Sequence, residues 1–406
     1  MSVNERTSPS PTPRATSRVR RRRLFYVAGF DPAGAGRYHR IYEEEAARHA
    51  ARTGLPIKVG PLDGDAWTVT ARHPEGPVEI RHEVLAWHDI VRSLWARNEL
   101  ELLIHGWAAF FAYWRRGLMR LGRREAPLLV VASTAPVAVS TAVLLAYVFK
   151  AAALGALAGV AAKALGAPPW IAFLVFATLL IPLPWAWRGV DRLIPVGWLA
   201  RGMHGVSTAS AGRAPDLDRR LDEFAGRILD ASQEPGWDEV LIVGHSMGAQ
   251  LAAQALGRAA ARDPDLGRAT PVNLLTLGQL IPLYTAMTRD PAYAADFRSL
   301  MAAEQVGWLD VASPADAGGA CGLHPFVGLD LPRRRGRPLR LSPRFHKVVS
   351  PETFRRLRRS PLDFHFQYIK AAEAEGDYDF FRLVAGPHPL TGTPEADAAL
   401  ARPIDR

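Results

Sequence analysis

A serine between two glycines is the residue of this chain best suited to nucleophilic chemistry. Ser246 lies in Gly244-His245-Ser246-Met247-Gly248, after a short apolar run at residues 240–243 and before a segment rich in Ala, Gln and Leu. The run has the β-branched composition of a buried parallel strand, and the segment favours a helix. The glycines let strand and helix approach closely around a strained serine, and the N-terminus of the helix favours negative charge there. The pattern predicts a nucleophile elbow with Ser246 at its apex and Gly244 and Gly248 beside it.

These residues resemble the elbow of the α/β-hydrolase superfamily, in which Gly-His-Ser-Met-Gly is common among lipases, esterases and thioesterases. The resemblance covers residues 24–32 and about 215–370, and it does not cover residues 90–205. It implies an α/β fold with a mostly parallel sheet and helices on both faces. It also implies a serine hydrolase that cleaves a carboxylic ester or thioester through an acyl-serine intermediate.

A serine hydroxyl needs a base to take its proton, and the resemblance implies the chain order Ser, then Asp or Glu, then His. His365 lies in Leu-Asp-Phe-His-Phe-Gln-Tyr, at a loop-to-helix junction that resembles the histidine position of the superfamily. We therefore expect His365 to be the base, with His346 as the alternative. The other histidines that follow Ser246 at a distance are His324 and His388.

The base in turn needs a carboxylate to orient it. Asp316 lies just beyond a strand predicted at residues 306–311, where the superfamily places its acid, and is the expected partner. Asp310, inside that strand, is the alternative. His245 is expected to shape the pocket and not to act as the base.

A second loop is expected beside the serine. Residues 24–28 predict a strand, and residues 29–34 follow at its C-terminal end, where ligands bind in open α/β sheets. If the chain is a hydrolase, this loop supplies the oxyanion hole, with the backbone N–H groups of Phe30 and Met247 as donors. The His-Gly-Gly-Gly form of that loop is absent from the sequence.

Two uncharged segments of 24 residues, at 126–149 and 164–187, interrupt this pattern. As a helix, each would span about 36 Å, against about 30 Å for the hydrocarbon core of a bilayer. They predict a helical hairpin with membrane segments at about 126–149 and 168–187, joined by a loop that contains Lys150 and Lys163. A pair of apolar core helices in a soluble protein is the alternative.

Arginines flank the predicted hairpin. Five lie within residues 115–124, and Arg188, Arg192 and Arg201 follow the second segment. The positive-inside rule therefore predicts an integral protein of the cytoplasmic membrane, with both chain ends and the catalytic domain in the cytoplasm. The aromatic helical stretch at residues 88–124 fits either a helix at the membrane interface or a buried core helix.

The net charge of +10 is concentrated in two segments. Residues 1–23 carry seven Arg and one Glu, and residues 332–359 carry ten Arg and one Lys against Glu352. Such clusters indicate a polyanionic surface, and we expect anionic lipid headgroups. Nucleic acid is not expected as a partner because no aromatic or fold signature accompanies the arginines. The oligomeric state is not predicted.

Metal and cofactor sites are not expected. The sequence contains no Cys/His cluster with zinc spacing and no P-loop pattern. Cys321 is the single cysteine, so an intramolecular disulfide is excluded and a reducing compartment fits.

The chain is expected to divide into five parts: a disordered basic tail at 1–23, the first part of the hydrolase-like domain at 24–90, a helical insertion at 91–205, the second part of the domain at 206–385, and a C-terminal tail at 386–406. Within them we expect further strands at 56–59, 67–71, 78–87 and 272–277, helices at 37–52, 215–232, 291–303 and 362–375, and a long loop at 318–345.

The sequence therefore predicts a membrane-anchored serine hydrolase that acts on a lipid or acyl chain. The alternative is a catalytically inactive, hydrolase-like membrane protein that serves as a binding or scaffold module.

Overall fold

The computed structural model describes residues 18–193, 196–212, 214–288, 290–331 and 337–401. Within these residues, eight strands form one sheet in the order β2-β3-β4-β1-β5-β6-β7-β8. β2, β3 and β4 pair antiparallel, and the remaining neighbours pair parallel. The predicted α/β architecture with a mostly parallel sheet is confirmed. The strands are β1 (Arg21–Val27), β2 (Ile57–Val59), β3 (Ala66–His73), β4 (Gly76–Val84), β5 (Glu239–His245), β6 (Val272–Leu277), β7 (Gly307–Val311) and β8 (Leu339–Leu341).

The central strands are covered on both faces. Phe25 and Val27 of β1 belong to one hydrophobic core, and Leu24 and Tyr26 of the same strand belong to a second core. Because successive side chains of a strand point to opposite faces, the two cores lie on opposite sides of the sheet. Strands buried in this way appear in the sequence as continuous apolar runs, which is why β5 and β6 could be predicted.

Helices cover both faces. α9, α10 and α12 contribute to the core that contains Phe25, and α1, α14, α15, α16 and α17 contribute to the core that contains Leu24. The helices outside the insertion are α1 (Ala35–Thr53), α9 (Pro215–Gln233), α10 (Met247–Arg262), α11 (Ile281–Met287), α12 (Pro291–Ala302), α13 (Phe345–Val348), α14 (Pro351–Arg359), α15 (Pro361–Phe366), α16 (Phe380–Ala385) and α17 (Pro394–Ala401), with 3-10 turns at Gln367–Ile369 and Leu390–Gly392.

The basic tail predicted at 1–23 is wrong at its C-terminal end, because β1 begins at Arg21. Arg22 is fully buried and donates to Glu239 over 2.6 Å, and Arg23 pairs with Glu83. A guanidinium can be buried where a carboxylate and further acceptors satisfy it, and composition alone does not reveal such partners. Residues 1–17, the rest of the predicted tail, lie outside the described residues.

The C-terminal tail predicted at 386–406 is wrong over its described part. The Arg22 guanidinium donates to the backbone carbonyls of Val384, Gly386 and His388, and Glu239 accepts from the N–H of Leu390. α17 follows and buries one of its faces. The segment is therefore bound to the sheet through the same buried ion pair that holds β1. Residues 402–406 lie outside the described residues.

Two further predicted elements are corrected. The helix expected at 362–375 ends as α15 and a 3-10 turn by Ile369, and the backbone N–H of Ala371 then donates to Glu45. The loop expected at 318–345 contains the three-residue strand β8, which pairs with β7. Three residues are too few to show a period in the sequence, and side-chain acceptors from distant helices can end a helix early.

The insertion consists of α2 (His88–Ser93), α3 (Glu99–Arg115), α4 (Leu118–Glu125), α5 (Pro127–Ala164), α6 (Trp170–Leu180), α7 (Leu183–Leu193) and α8 (Val196–Ser210). α5 and the segment Trp170–Asp191 are long and apolar enough to cross a membrane. The loop predicted around Lys150 and Lys163 is wrong, because α5 is a single helix of 38 residues, about 57 Å long. The chain turns at 165–169, where Gly166 has φ of 70°. Residues 150–163 are mainly Ala and Leu, which favour helix over loop.

The two halves of α5 have different surroundings. In its first half, one face is buried and the helix contacts α3 and α8. Its second half contacts α6, of which no residue is buried. Large apolar side chains are consequently exposed along this distal hairpin, which we define as residues 145–181; they include Leu145, Phe149, Leu157, Val160, Leu165, Trp170, Phe173 and Ile181.

Candidate active site

Ser246 occupies the sharp turn between β5 and α10. Its φ of 58° and ψ of −124° lie outside the regions that non-glycine residues usually adopt. Such a conformation costs about 1–3 kcal/mol, so the surrounding structure has to impose it. The backbone N–H of Ser246 donates to the carbonyl of Leu277 at the end of β6, over 2.9 Å. The strand, turn and helix predicted around this serine are all present.

The two glycines that flank Ser246 stand where no side chain fits. A Cβ at Gly244 would collide with the backbone of Ala249, and a Cβ at Gly248 would collide with the backbone carbonyls of Val27 and Ala28. The first turn of α10 therefore packs directly against the end of β1. Because the backbones approach so closely, only glycine fits at positions 244 and 248.

His365 and Asp316, which are 49 positions apart in the chain, form a buried hydrogen bond. The His365 Nδ1 atom lies 2.8 Å from Asp316 Oδ2, and both side chains are almost fully buried. Asp316 Oδ1 accepts from the N–H of Gly318 over 2.8 Å. Because a carboxylate accepts, Nδ1 carries the proton, and in the neutral imidazole Nε2 then carries the lone pair.

The Nε2 atom of His365 is buried and has no hydrogen-bond partner among the described residues, so Ser246 Oγ does not reach it in this structure. Both residues nevertheless line the same cavity. Gly278, which follows the carbonyl that holds Ser246, approaches the imidazole closely: a Cβ there would lie 3.1 Å from His365 Cε1. The structure thus places an imidazole nitrogen without a hydrogen-bond partner and the strained serine in the wall of one cavity. Hydrogen bonds of this kind are often long before substrate binds.

The two alternative residues lie elsewhere. Asp310 is buried in β7, accepts from Thr276 Oγ1 over 2.8 Å and lies 3.6 Å from Arg340. Burial raises the pKa of its carboxyl, against the opposing effect of Arg340. His346 is exposed in α13 and packs against the ring of Phe354. The structure brings neither of them to Ser246.

His245 packs against the expected base. The two imidazole rings stack with centroids 4.8 Å apart, and His245 Nε2–H donates to the backbone carbonyl of His365 over 3.0 Å. Burial, together with the neighbouring His365, lowers the pKa of His245 to about 3. The side chain is therefore neutral near pH 7 and orients His365, in line with the pocket-shaping role expected for it.

The loop after β1 passes beside the serine. A Cβ at Gly29 would lie 3.0 Å from Ser246 Cβ and 3.4 Å from its Oγ. Among the described contacts, the backbone N–H groups of Phe30 and Met247 donate to no acceptor. The Phe30 ring is held by the rings of Trp87 and Trp95, at 6.1 and 5.8 Å. Both predicted oxyanion donors are therefore unused and near Ser246.

The sequence analysis missed two residues of this site. The Tyr368 hydroxyl accepts from the N–H of Ser313 over 2.8 Å, and burial together with Asp316 raises the pKa of this phenol. Trp198 of α8 lies over the expected base, with ring centroids 5.5 Å apart. Tyr368 is only three positions after His365, a spacing that could have drawn attention to it. No signal in the sequence indicated that the insertion reaches His365.

Two cavities meet at Ser246, and both are lined by Ser246, Phe30 and Trp198. The first, which we name the apolar cavity, lies mainly between α3, α5, α8 and α11. The second, which we name the polar cavity, contains Asp31, Arg37 and His365. The serine hydroxyl therefore stands between an apolar and a polar compartment.

Comparisons of the chain with protein-family models, with curated proteins and with solved structures each find no match. The interpretation of this site therefore depends on its own geometry.

The basic stretch at 332–359 is divided by the fold. Arg340 is buried beside Asp310, Arg337 donates to the carbonyls of Leu300 and Ala303, and Arg344 lies 3.4 Å from Asp377. Residues 332–336 lie outside the described residues. The arginines of this stretch that remain exposed are those of α14, namely Arg355, Arg356, Arg358 and Arg359. The exposed basic side chains described in this stretch are therefore these four arginines of α14 and Lys347 of α13.

Proposed function

We propose that this chain is a membrane-anchored serine hydrolase of the α/β-hydrolase type, which cleaves a carboxylic ester or thioester of a lipid or acyl chain. One observation carries the proposal: a buried imidazole, oriented by Asp316, leaves its Nε2 unpaired beside a serine held at φ of 58°. A structural histidine in an apolar site would be expected to use both ring nitrogens, because an unpaired buried polar atom costs about 1–3 kcal/mol.

In the first half of the reaction, Ser246 Oγ attacks the carbonyl carbon of the substrate while His365 Nε2 takes the hydroxyl proton. The negative charge that develops on the carbonyl oxygen is stabilised by the N–H groups of Phe30 and Met247 and by the N-terminus of α10. The intermediate then collapses. The bond to the leaving group breaks, the leaving group takes the proton from His365, and an acyl-Ser246 remains.

In the second half, water attacks the acyl carbon while His365 Nε2 takes one of its protons. The new intermediate expels Ser246 Oγ, which recovers the proton from His365, and the carboxylic acid leaves. The carboxylate of Asp316, whose two oxygens accept from His365 and Gly318, orients and stabilises the imidazolium.

The exposure of the distal hairpin supports the membrane anchor. α6 has no buried residue, and a helix that is apolar all round is stable only when protein or lipid covers it. α3 adds an exposed apolar face, with Leu100, Ile104, Phe111 and Trp114. With the flanking arginines, this supports insertion from the cytoplasmic side, with both chain ends in the cytoplasm.

The α14 arginines form the largest group of exposed basic residues that the structure describes in the two predicted headgroup-binding clusters. Each basic residue near an anionic membrane contributes about 1 kcal/mol of attraction, which salt reduces. Anionic lipid headgroups therefore remain the proposed partner of this helix.

Labelling with a fluorophosphonate probe tests the proposed function, because only an activated serine reacts with it. We expect labelling of the wild-type protein, loss of labelling in Ser246→Ala and His365→Ala, and full labelling in Ser350→Ala, which removes only the N-cap of α14. A folded wild-type protein that takes up no probe would instead indicate the binding or scaffold role.

A further inference from the structure

We infer that the apolar cavity binds the acyl chain of the substrate and that the first turns of α5 limit the length of that chain, with Ala132 and Ser133 as the specificity-determining residues. The leaving group then lies in the polar cavity on the other side of Ser246. This inference rests on the proposed function and deepens it, since it assigns substrate selection to the membrane insertion.

The lining of the apolar cavity supports this assignment. Tyr113 of α3, Leu129, Ala132 and Ser133 of α5, and five residues of α8 form its insertion side. The remaining lining comes from Ser246, the first residue of α10, α11 and the neighbouring loops, and none of the lining residues is charged. Each methylene that enters such a site from water gains about fourfold in affinity, so the cavity favours a hydrocarbon chain.

The polar cavity suits that chain less well than the apolar cavity, although Trp95, Leu362 and Phe366 also line it. Arg37 and Asp31 lie 3.3 Å apart in its wall, and the Tyr38 hydroxyl donates to Asp31 over 2.9 Å. A hydrocarbon placed there would remove water from an ion pair and supply no hydrogen bond in return. A polar leaving group can hydrogen-bond to these side chains, which determines the orientation of the substrate across Ser246.

The face of α5 toward the cavity carries small side chains. Leu129, Ala132 and Ser133 have the i, i+3, i+4 spacing of one helix face, and all three are buried. Val131, on the opposite side of the same turn, is 58% exposed. A large side chain at position 132 therefore projects into the cavity, whereas the same side chain at position 131 projects away from it.

The chain-length preference of the full-length protein in detergent tests the inference. We would measure kcat/KM for p-nitrophenyl esters from acetate to palmitate, for the wild type, Ala132→Phe and the matched control Val131→Phe. We expect Ala132→Phe to lower turnover of the long esters at least tenfold and to keep turnover of acetate within about threefold. Val131→Phe should keep the wild-type profile. Equal profiles for the two variants would overturn the inference while leaving the proposed function intact.

Leu129→Ala provides the opposite change, because it enlarges the cavity. We expect it to shift the preferred ester toward longer chains. An unchanged preferred chain length in Leu129→Ala would also overturn the inference. This second variant keeps the inference testable if Ala132→Phe does not fold. Probe labelling of Ser246 reports folding in each variant. If the wild type takes up no probe and hydrolyses no ester, the proposed function itself fails.

Discussion

β5 and α6 both contain a run of apolar residues, yet their surroundings are opposite. Every residue of β5 is buried, whereas no residue of α6 is. The strand is covered by helices from both sides of the sheet, and the helix packs chiefly against α5. The apolar side chains of both segments are stabilised by exclusion from water. The protein itself buries those of β5 and leaves those of α6 exposed.

The two regions differ in what surrounds their apolar side chains. The site around Ser246 is fixed by backbone contacts so close that only glycine fits at positions 244 and 248. The distal hairpin leaves its large apolar side chains exposed, which is the composition of a lipid-facing surface. The first half of α5 connects the two regions, because it lines the apolar cavity and continues into the distal hairpin.

The largest expected effect is the retention of the protein in the membrane by the hairpin, which is either complete or absent. We expect the protein to remain in the membrane after carbonate washing. Reporter fusions after residues 125 and 206 should give a cytoplasmic signal, and a fusion after residue 167, in the turn between α5 and α6, should not. Release by carbonate would show that another protein surface covers the hairpin.

Among substitutions, loss of the nucleophile or the base should have the largest effect on turnover. Ser246→Ala and His365→Ala should each lower kcat by about 10⁴-fold or more, and the double variant should be hardly worse than either, because the residues act as a unit. Steady-state ester hydrolysis is the measurement. His346→Ala is the matched control and should keep its turnover; the reverse result would show that the wrong base was chosen.

Substitutions of the two buried aspartates should have different effects, because Asp316 should be needed for activity and Asp310 for stability. Asp316→Asn should lower kcat by about 10³–10⁴-fold because the imidazole loses its orienting charge, with little loss of fold. Asp310→Asn should lower the free energy of unfolding by about 1–3 kcal/mol, since Arg340 loses its carboxylate, while the remaining folded protein stays active. Thermal melting measures the stability of each variant, and probe labelling measures the reactivity of its serine. Loss of activity without loss of stability in Asp310→Asn would contradict this assignment.

The elbow glycine can be tested against a glycine in an open position. Gly248→Ala should lower the free energy of unfolding by about 3 kcal/mol, because the new methyl group collides with the backbone of β1. Gly226→Ala, in the interior of α9 where no other atom is within 4 Å, should raise it by about 0.5–1 kcal/mol. Thermal denaturation measures both. Similar midpoints for the two variants would mean that the elbow is more adaptable than its contacts indicate.

The smallest expected effect is the pH dependence that His245 causes. Its pKa is about 3 in the folded protein and about 6.5 in the unfolded chain. As the pH falls below 6.5, the unfolded chain takes up a proton that the folded protein does not. Folding then loses about 1.4 kcal/mol per pH unit from this group. His245→Asn should therefore show a shallower loss of thermal stability between pH 6.5 and 5 than the wild type. The exposed control His346→Asn should keep the wild-type slope.

The sequence by itself determined the features that depend on neighbouring residues. A strand, a Gly-x-Ser-x-Gly turn and a helix specify the elbow locally, because each part has its own composition and the glycines permit the close approach. Two long uncharged segments likewise predicted apolar helices, since charge is costly in lipid. The apolar runs of β1, β5 and β6 also indicate that both faces of these strands are buried, one face in each hydrophobic core.

Only the tertiary structure decided the features that depend on distant partners. The sequence favours Asp316 as the acid and leaves Asp310 as the alternative, and packing brings Asp316 to His365 and Asp310 to Arg340. Arg22 has the composition of a basic tail, and a carboxylate more than two hundred positions away makes it part of the sheet. Trp198 reaches His365 because α8 packs over the site. The physical reason is common to all three: hydrogen bonds and close packing are satisfied in space, and neither is encoded by the spacing of residues along the chain.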